Sequence, residues 1–458
     1  MWTIICLLCA LTLPIQGEPI PSRRRVCVIG AGAGGLESAK QVAERIDQFE
    51  PVVFEKNSDV GGLWIYTDSE DYDEHGLPVH SSVYKNLRVN LPKDLMALPD
   101  YQRFAANRSC VAHEKVHEYL RNFTDHFNLR QFIRFNTLVE KVKPLVEEAD
   151  DDRSGDFDWR STRWLIRARN LNTNKSDETV CDSVMIANGH YAKPYVPLIP
   201  GMESFPGKIM HSHTYRRPEK FAGQTVLLLG AASSGKDLAL ELSSHAETIY
   251  LSHNKKRLQG LPANVIQVPG VVVVANDSEL VLKDGSRVNA DTFIYCTGYA
   301  YEFPFLDSSS AITAEDKRVY PLYKHMINVE HPTMAFIGLP SGAITFSIFN
   351  VQAQYYLALL QGKAELPSRE QMLREAELPA GKSKNLAHFL GPAQWTYFSD
   401  LARAGGFDDL PQFYRLGFTL WDAYRNVYLT TFKDADIRIY ADNYVEIVEP
   451  NGRRIILG

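Results

Sequence analysis

The sequence predicts an α/β fold in which two parallel sheets each form around a strand, a glycine-rich turn and a helix. Three observations carry this. The run Val26-Cys27-Val28-Ile29 ends in Gly30-Ala31-Gly32-Ala33-Gly34-Gly35, and a helical stretch follows to about Ile46. A second apolar run, Val52-Val53-Phe54, ends in Glu55, twenty residues after Gly35. Two hundred residues later Thr225-Val226-Leu227-Leu228-Leu229 leads into Gly230-Ala231-Ala232-Ser233-Ser234-Gly235 and another helical stretch to about Ser244. A parallel strand buried on both faces is a near-continuous apolar run, and a glycine turn into a helix N-terminus binds pyrophosphate. The chain is therefore expected to hold two nucleotides on two interleaved Rossmann-like domains, a FAD domain with an inserted NADP domain.

In the first turn Gly30 permits the tight bend, Gly32 lets the backbone reach the pyrophosphate, and Gly35 allows the helix to pack closely on the strand. The helix N-terminus offers unpaired N–H groups and a partial positive charge to the phosphates. Glu55 is placed to bind ribose hydroxyls. The second turn departs from this pattern because Ala232 stands at the middle glycine. Its next strand, Thr248 to Leu251, ends in Ser252-His253-Asn254-Lys255-Lys256-Arg257, with no acid where NAD would place one. Hydroxyl and basic groups there suit a 2'-phosphate and hence NADPH. Ser234-Gly235-Lys236 is not a phosphate-binding P-loop, because the spacing fails.

With 458 residues the chain has room for two or three domains at roughly 150 residues each. A formal charge of -6 argues against a nucleic-acid or anionic-membrane partner. Trp2 to Leu13 is apolar and shorter than the roughly twenty residues that span a bilayer, so residues 1–17 are expected to be a signal peptide cut near Gly17. An uncleaved anchor and a cytosolic apolar tail are the other readings. Sequons at Asn107, Asn122, Asn174 and Asn276 suit an exported protein, though such triplets also arise by chance. Cys27, Cys181 and Cys296 lie in apolar runs and are expected to be buried strand cysteines, with no disulfide framework.

The remaining organisation follows from the same signals. Ser183 to Gly189 and Thr292 to Gly298 are two further strands stopping at glycine, and Pro194 to Pro200 and the region of Pro304 suit linkers. Asp150 to Asp156 and Asn170 to Glu178 are expected as charged turns. A helix is expected from Ser347 to Leu360, amphipathic helices to about Thr431, and a terminal hairpin from Val445 to Leu457 around Asn451-Gly452. The expected domains are 18–204 for the first part of the FAD domain, 205–300 for the NADP domain and 301–458 for the second part. No metal-ligating cluster is predicted.

Between the two turns, Phe205-Pro206-Gly207-Lys208-Ile209-Met210-His211-Ser212-His213-Thr214-Tyr215 fits Phe-x-Gly-x-x-x-His-x-x-x-Phe/Tyr. This resembles the signature of the flavin-containing monooxygenases. Gly61-Gly62-Leu63-Trp64, Asn90-Leu91-Pro92-Lys93, Cys296-Thr297-Gly298-Tyr299 and His331-Pro332 extend the resemblance in order. Among subfamilies the chain looks most like exported insect pyrrolizidine-alkaloid N-oxygenases, because it joins an N-terminal signal to a short chain. The resemblance implies that NADPH reduces FAD, that oxygen forms a flavin C4a-hydroperoxide, and that a tertiary amine or thioether takes its distal oxygen. It places Asn90 in the catalytic position beside the flavin edge, Leu63, Trp64 and Val139 against FAD, and Tyr215 against NADP. His211 is expected to fix the linker, and Thr297 either packs or contacts cofactor where the second unit returns to the first. Val89 replaces the family's usual Thr or Ser, and Asn254 its frequent Arg.

The partners expected are a small nucleophilic substrate and oxygen, with no nucleic acid, no membrane after signal removal and a possible homo-oligomer. Baeyer–Villiger oxygenases are the neighbouring enzyme class, but their signature has Trp where Tyr215 stands. A broad N- and S-oxygenating xenobiotic enzyme and a non-catalytic carrier glycoprotein on the same fold are the alternatives.

Overall fold

A computed structural model of the protein describes residues 23–145, 159–275, 279–441 and 443–457. The apolar run at the N-terminal side of the first turn forms the strand Arg24–Ile29, central in a seven-stranded sheet. Phe49–Phe54 and Ser183–Ile186 pair with it in parallel, and Ile133–Arg134 and Met334–Phe336 extend the parallel part on either side. Leu322–Tyr323 and Ile327–Asn328 add an antiparallel edge. Val26, Cys27 and Val28 are fully buried, as strands covered on both faces require.

The helix Ala33–Ala43 packs Leu36, Ala39 and Val42 inward, against the helix Thr345–Leu360. That second helix is buried on nearly every side, with its polar Ser347, Asn350 and Gln352 inside as well, as an element enclosed by neighbours rather than facing water. A three-stranded antiparallel sheet, Thr137–Leu145, Arg163–Asn170 and Lys175–Cys181, covers the other side.

The second unit is a five-stranded parallel sheet in the order Val265–Val268, Thr248–Ser252, Thr225–Leu229, Thr292–Tyr295, Lys208–His211. Its edge strand comes from inside the signature motif. The chain enters and leaves this unit through Lys193–Pro194 and Tyr299–Ala300, which pair antiparallel and make a double linker. Helices Arg369–Ala376, Gln394–Gly405 and Gln412–Val427 precede a terminal sheet in which Tyr444–Val448 and Arg454–Leu457 form the hairpin.

Two expectations are corrected. The polar run Asn170–Glu178 is a turn only at 171–174; Lys175–Cys181 is a strand whose first four residues, Lys175 to Glu178, are all polar and exposed, so its start lacks the apolar alternation that announces one. Cys27 and Cys181 are joined in a disulfide with their Cα atoms 6.0 Å apart, whereas Cys110 and Cys296 are buried thiols. The partners lie 154 residues apart, and spacing alone cannot pair them. The signal segment, the charged run Asp150 to Asp156 and the sequon at Asn276 lie outside the described residues.

Candidate flavin and nucleotide sites

The two glycine turns share one backbone construction. Gly30 and Gly230 have φ of +100° and +112°, and a Cβ on either would stand 2.7 Å from Ala187 O or 2.6 Å from Cys296 O. Only glycine fits such a bend against a neighbouring strand. At Gly35 and Gly235 a Cβ would stand 1.8 Å and 1.7 Å from the oxygens of Gly30 and Gly230, so each helix presses directly on its own turn. Gly32 and Ala232 precede the two helices in extended conformation, and neither helix has a side-chain cap. Each first helical turn therefore offers its N–H groups to a ligand.

The surroundings differ. The first turn opens into a cavity of about 570 Å3, lined by Gly30, Gly32, Ala33 and Gly34 together with Glu55, Leu63, Trp64, Asn90 and Val139. Ligand pockets typically run from about 300 to 1,000 Å3. Ala31 and Gly35 do not line it. Ala31 is buried and donates its N–H to Glu55 Oε2 at 2.6 Å, while Glu55 Oε1 accepts the backbone and side-chain N–H groups of Asn57 at 2.8 Å each. Burial raises the Glu55 pKa and these bonds oppose the rise. A carboxylate has about four acceptor positions, so Glu55 is oriented by three protein donors and keeps capacity for a ribose hydroxyl. The turn Gly61-Gly62 leans on Gly32, with Gly61 N bonded to Ala31 O at 3.0 Å, and sets Leu63 and Trp64 into the wall.

Asn90 lines the cavity beside Leu91 and Met96, facing wall residues Thr345, Phe346 and Phe349 that sequence reasoning missed. The short helix Lys93–Met96 starts on Pro92 without a side-chain cap, so the Asn90 amide is not the cap of that turn. Val139 belongs to the antiparallel sheet, at a bulge. His80 and His190 also line the cavity, and burial pushes their pKa down to about 3 and about 4, so both are neutral at pH 7.

Around the second turn, Ala232 and Ser233 are exposed, as are Asn254, Lys255, Lys256 and Arg257 at the end of the adjacent strand; Ser234 is half-buried and Ala231 and Gly235 are buried. Two predicted contacts are corrected. Ser252 is fully buried and donates its hydroxyl to Pro269 O at 2.8 Å, while Lys255, Lys256 and Arg257 just beyond it are exposed. Tyr215 is fully buried too: it meets Phe221 and Tyr84 and donates to Glu241 Oε1 at 3.3 Å, a core residue rather than a nucleotide contact. Ring residues at the close of a motif face ligand or core alike, and sequence cannot tell which. His253 is half-buried, with Nε2 on Gln267 Oε1 at 3.1 Å.

His211 and Thr297 sit at the double linker. His213 N–H donates to His211 Nδ1 at 3.0 Å, so Nε2 carries the proton and donates to Gly298 O at 3.1 Å. Burial pushes the His211 pKa down to about 4, and the ring ties the signature strand to the returning linker. Thr297 donates to Tyr195 O, joining the outgoing and returning chains.

Known proteins agree with this arrangement. The family model of flavin-binding monooxygenase-like proteins matches residues 23–258 and 259–394. The chain is 36% identical over 422 residues to flavin-containing monooxygenase FMO GS-OX-like 9 of Arabidopsis thaliana, covering 86% of this chain and 88% of that one. Among solved structures, an S-allyl-L-cysteine S-oxygenase from Allium sativum superposes with a TM-score of 0.79 at 30% identity, over 90% of this chain and 95% of the other. Tmm from a Pelagibacter strain gives 0.75 at 26% identity, over 94% and 96%. The protein belongs to the flavin-containing monooxygenase family, and its cofactors are FAD and NADPH. The first site fits FAD on its own terms: a glycine cradle open to a cavity, helix N–H groups without a cap, and a buried carboxylate with acceptor capacity to spare.

Proposed function

We propose that the protein is an exported monooxygenase that N-oxygenates tertiary amines, with pyrrolizidine alkaloids such as senecionine as the substrate class and detoxification as the outcome, as in the insect enzymes it resembles. The observation that carries this reading is the wall around Asn90. Leu91, Met96, Phe346 and Phe349 bring apolar side chains to the same cavity as Asn90, and Thr345 an uncharged one. Such a wall suits a neutral soft nucleophile, because an ammonium ion would lose its hydration without gaining a partner. Arg88 also lines the cavity, with its guanidinium donating to Cys110 O and to Asp434.

Bound FAD, reduced by NADPH, supplies the oxygen chemistry. The protein's own residues bind, orient and dehydrate. The turn Gly30 to Gly35 presents backbone N–H groups to the pyrophosphate, Glu55 accepts from the ribose, and Leu63, Trp64 and Val139 wall the cavity. The Asn90 amide is a donor and acceptor that needs no proton exchange, and the apolar wall keeps out the water that would divert oxygen to hydrogen peroxide. Export is supported by the Cys27–Cys181 disulfide, a bond that persists in oxidising compartments, and by exposed Asn107, Asn122 and Asn174 in three sequons.

A second reading, S-oxygenation of thioethers, is favoured by the likeness to the garlic S-oxygenase. Oxygen-dependent NADPH consumption against tertiary amines, thioethers and ketones separates the two. N-oxide formation with tight coupling is expected; turnover confined to thioethers would move the protein to the second reading.

A further inference from the structure

The segment that carries Asn90 is held from behind by the C-terminal part of the chain. Trp421, 1% exposed on the helix Gln412–Val427, donates its indole N–H to Asn90 O at 3.0 Å. Lys433 donates to Arg88 O at 2.9 Å, two residues earlier, and Arg88 returns a bond to Lys433 O. The same ammonium reaches both carboxylate oxygens of Asp237, at 2.9 Å and 3.0 Å, with the side chains 18% and 11% exposed. Its three donors are thus all committed. Asp237 lies on the helix Ser233–Leu242 that starts at the second glycine turn, and it also accepts from Tyr84, which precedes Asn90 on the same segment. Trp421 and Lys433 both lie beyond residue 394, where the family match ends.

A working site needs its groups held within about 0.5 Å of their productive positions. The carbonyls of Arg88 and Asn90 bracket the residue between them, so a donor on each fixes where the Asn90 amide stands in the cavity. We propose that Trp421 and Lys433 are positioning residues for Asn90, and that the Lys433–Asp237 ion pair couples their grip to the second nucleotide helix. This rests on the reading of Asn90 as the amide at the flavin edge. Coupling of this kind is reciprocal: occupancy at the second turn steadies Asn90, and loss of the grip weakens the response to NADP+.

The test uses FAD-loaded enzyme carrying Trp421→Phe, Lys433→Met, Lys433→Arg, Asp237→Asn or Asn90→Ser. Phenylalanine keeps a buried ring and loses the N–H; methionine keeps the stem and loses the ammonium. Three quantities are read: the share of NADPH that ends as hydrogen peroxide, the change NADP+ induces in the flavin absorbance spectrum, and the melting temperature. The peroxide share is expected to rise about five-fold in Trp421→Phe, the effect of one lost hydrogen bond, and at least as much in Lys433→Met, which also breaks the ion pair with Asp237. The NADP+-induced spectral change is expected to shrink in Lys433→Met and Asp237→Asn, to recover in Lys433→Arg, and to shrink no further when Lys433→Met and Asp237→Asn are combined. Parental peroxide share and spectra in Trp421→Phe and Lys433→Met, alongside impaired Asn90→Ser, would overturn the positioning role alone. An unaffected Asn90→Ser would overturn the reading of Asn90 and this proposal with it. Should Lys433→Met not fold, Trp421→Phe and Asp237→Asn decide.

Discussion

The two nucleotide units are built to the same backbone plan and differ in what surrounds the plan. Gly30 and Gly230 bend alike, and Gly35 and Gly235 press alike on their turns. The first turn faces a cavity closed by the antiparallel sheet, the Gly61-Gly62 loop and the helix Thr345–Leu360, whereas the second faces water through Ala232 and Ser233. Enclosure suits a cofactor that stays, and openness suits one that arrives and leaves. Even the acids on the two helices follow this divide. Glu37 is fully buried on Asn350 and Gln41, while Asp237, two residues after Gly235 as Glu37 is two after Gly35, meets Lys433 at the boundary between the units.

The sharpest way to break this comparison is to put a side chain in the middle of each turn. At Gly32 a Cβ would stand 3.6 Å from Gly62 Cα and project into the cavity, so Gly32→Val should abolish flavin retention, measured by absorbance after gel filtration. Ala232→Val should keep the flavin and raise the KM for NADPH about ten-fold, a difference of about 1.4 kcal/mol. Next, Gly35→Ala and Gly235→Ala should each cost about 3 kcal/mol or more in urea unfolding, since the overlaps are with backbone oxygens. A mild effect in one of the pair would mean that its helix can shift.

Smaller in size is a pH effect confined to the first unit. Burial raises the Glu37 pKa to about 7, against the pull of Lys40, and its Oε2 meets no donor among the described residues. The folded chain therefore holds this proton more tightly than the unfolded chain does. The stability that Glu37 contributes is complete below about pH 4.5 and is lost as pH rises through about 7. Glu37→Gln should then gain on the order of 2 kcal/mol over the parent at pH 8 and little at pH 5, read from paired denaturant curves. The smallest expected effects concern the second unit's charges. Lys255→Ala with Arg257→Ala should raise the KM for NADPH about five-fold at low salt and less at high salt, because exposed charges are screened. Ser252→Ala, with its hydroxyl already on Pro269, should leave that KM within about two-fold.

What the sequence made legible was local. Strand, turn, helix and Glu55 are neighbours along the chain, and the structure brings the turn and Glu55 to one cavity. The motif from Phe205 to Tyr215 was equally legible, although not that its middle forms an edge strand or that Tyr215 points into the core. Contacts between distant segments were not legible. Cys27 meets Cys181 across 154 residues, and Phe346 and Phe349 reach the cavity from a helix whose apolar composition gives no sign of which face is exposed to ligand. The bonds from Trp421 and Lys433 to the segment of Asn90 span more than three hundred residues and follow no motif.

The most direct test of the account counts the nucleotides that stay. Protein saturated with FAD and NADPH, then passed through gel filtration in air, should elute yellow with one FAD per chain and with nicotinamide nucleotide lost on further washing. A colourless chain, or one retaining both nucleotides equally through repeated washing, would contradict the assignment of the enclosed turn to FAD and the open one to NADPH.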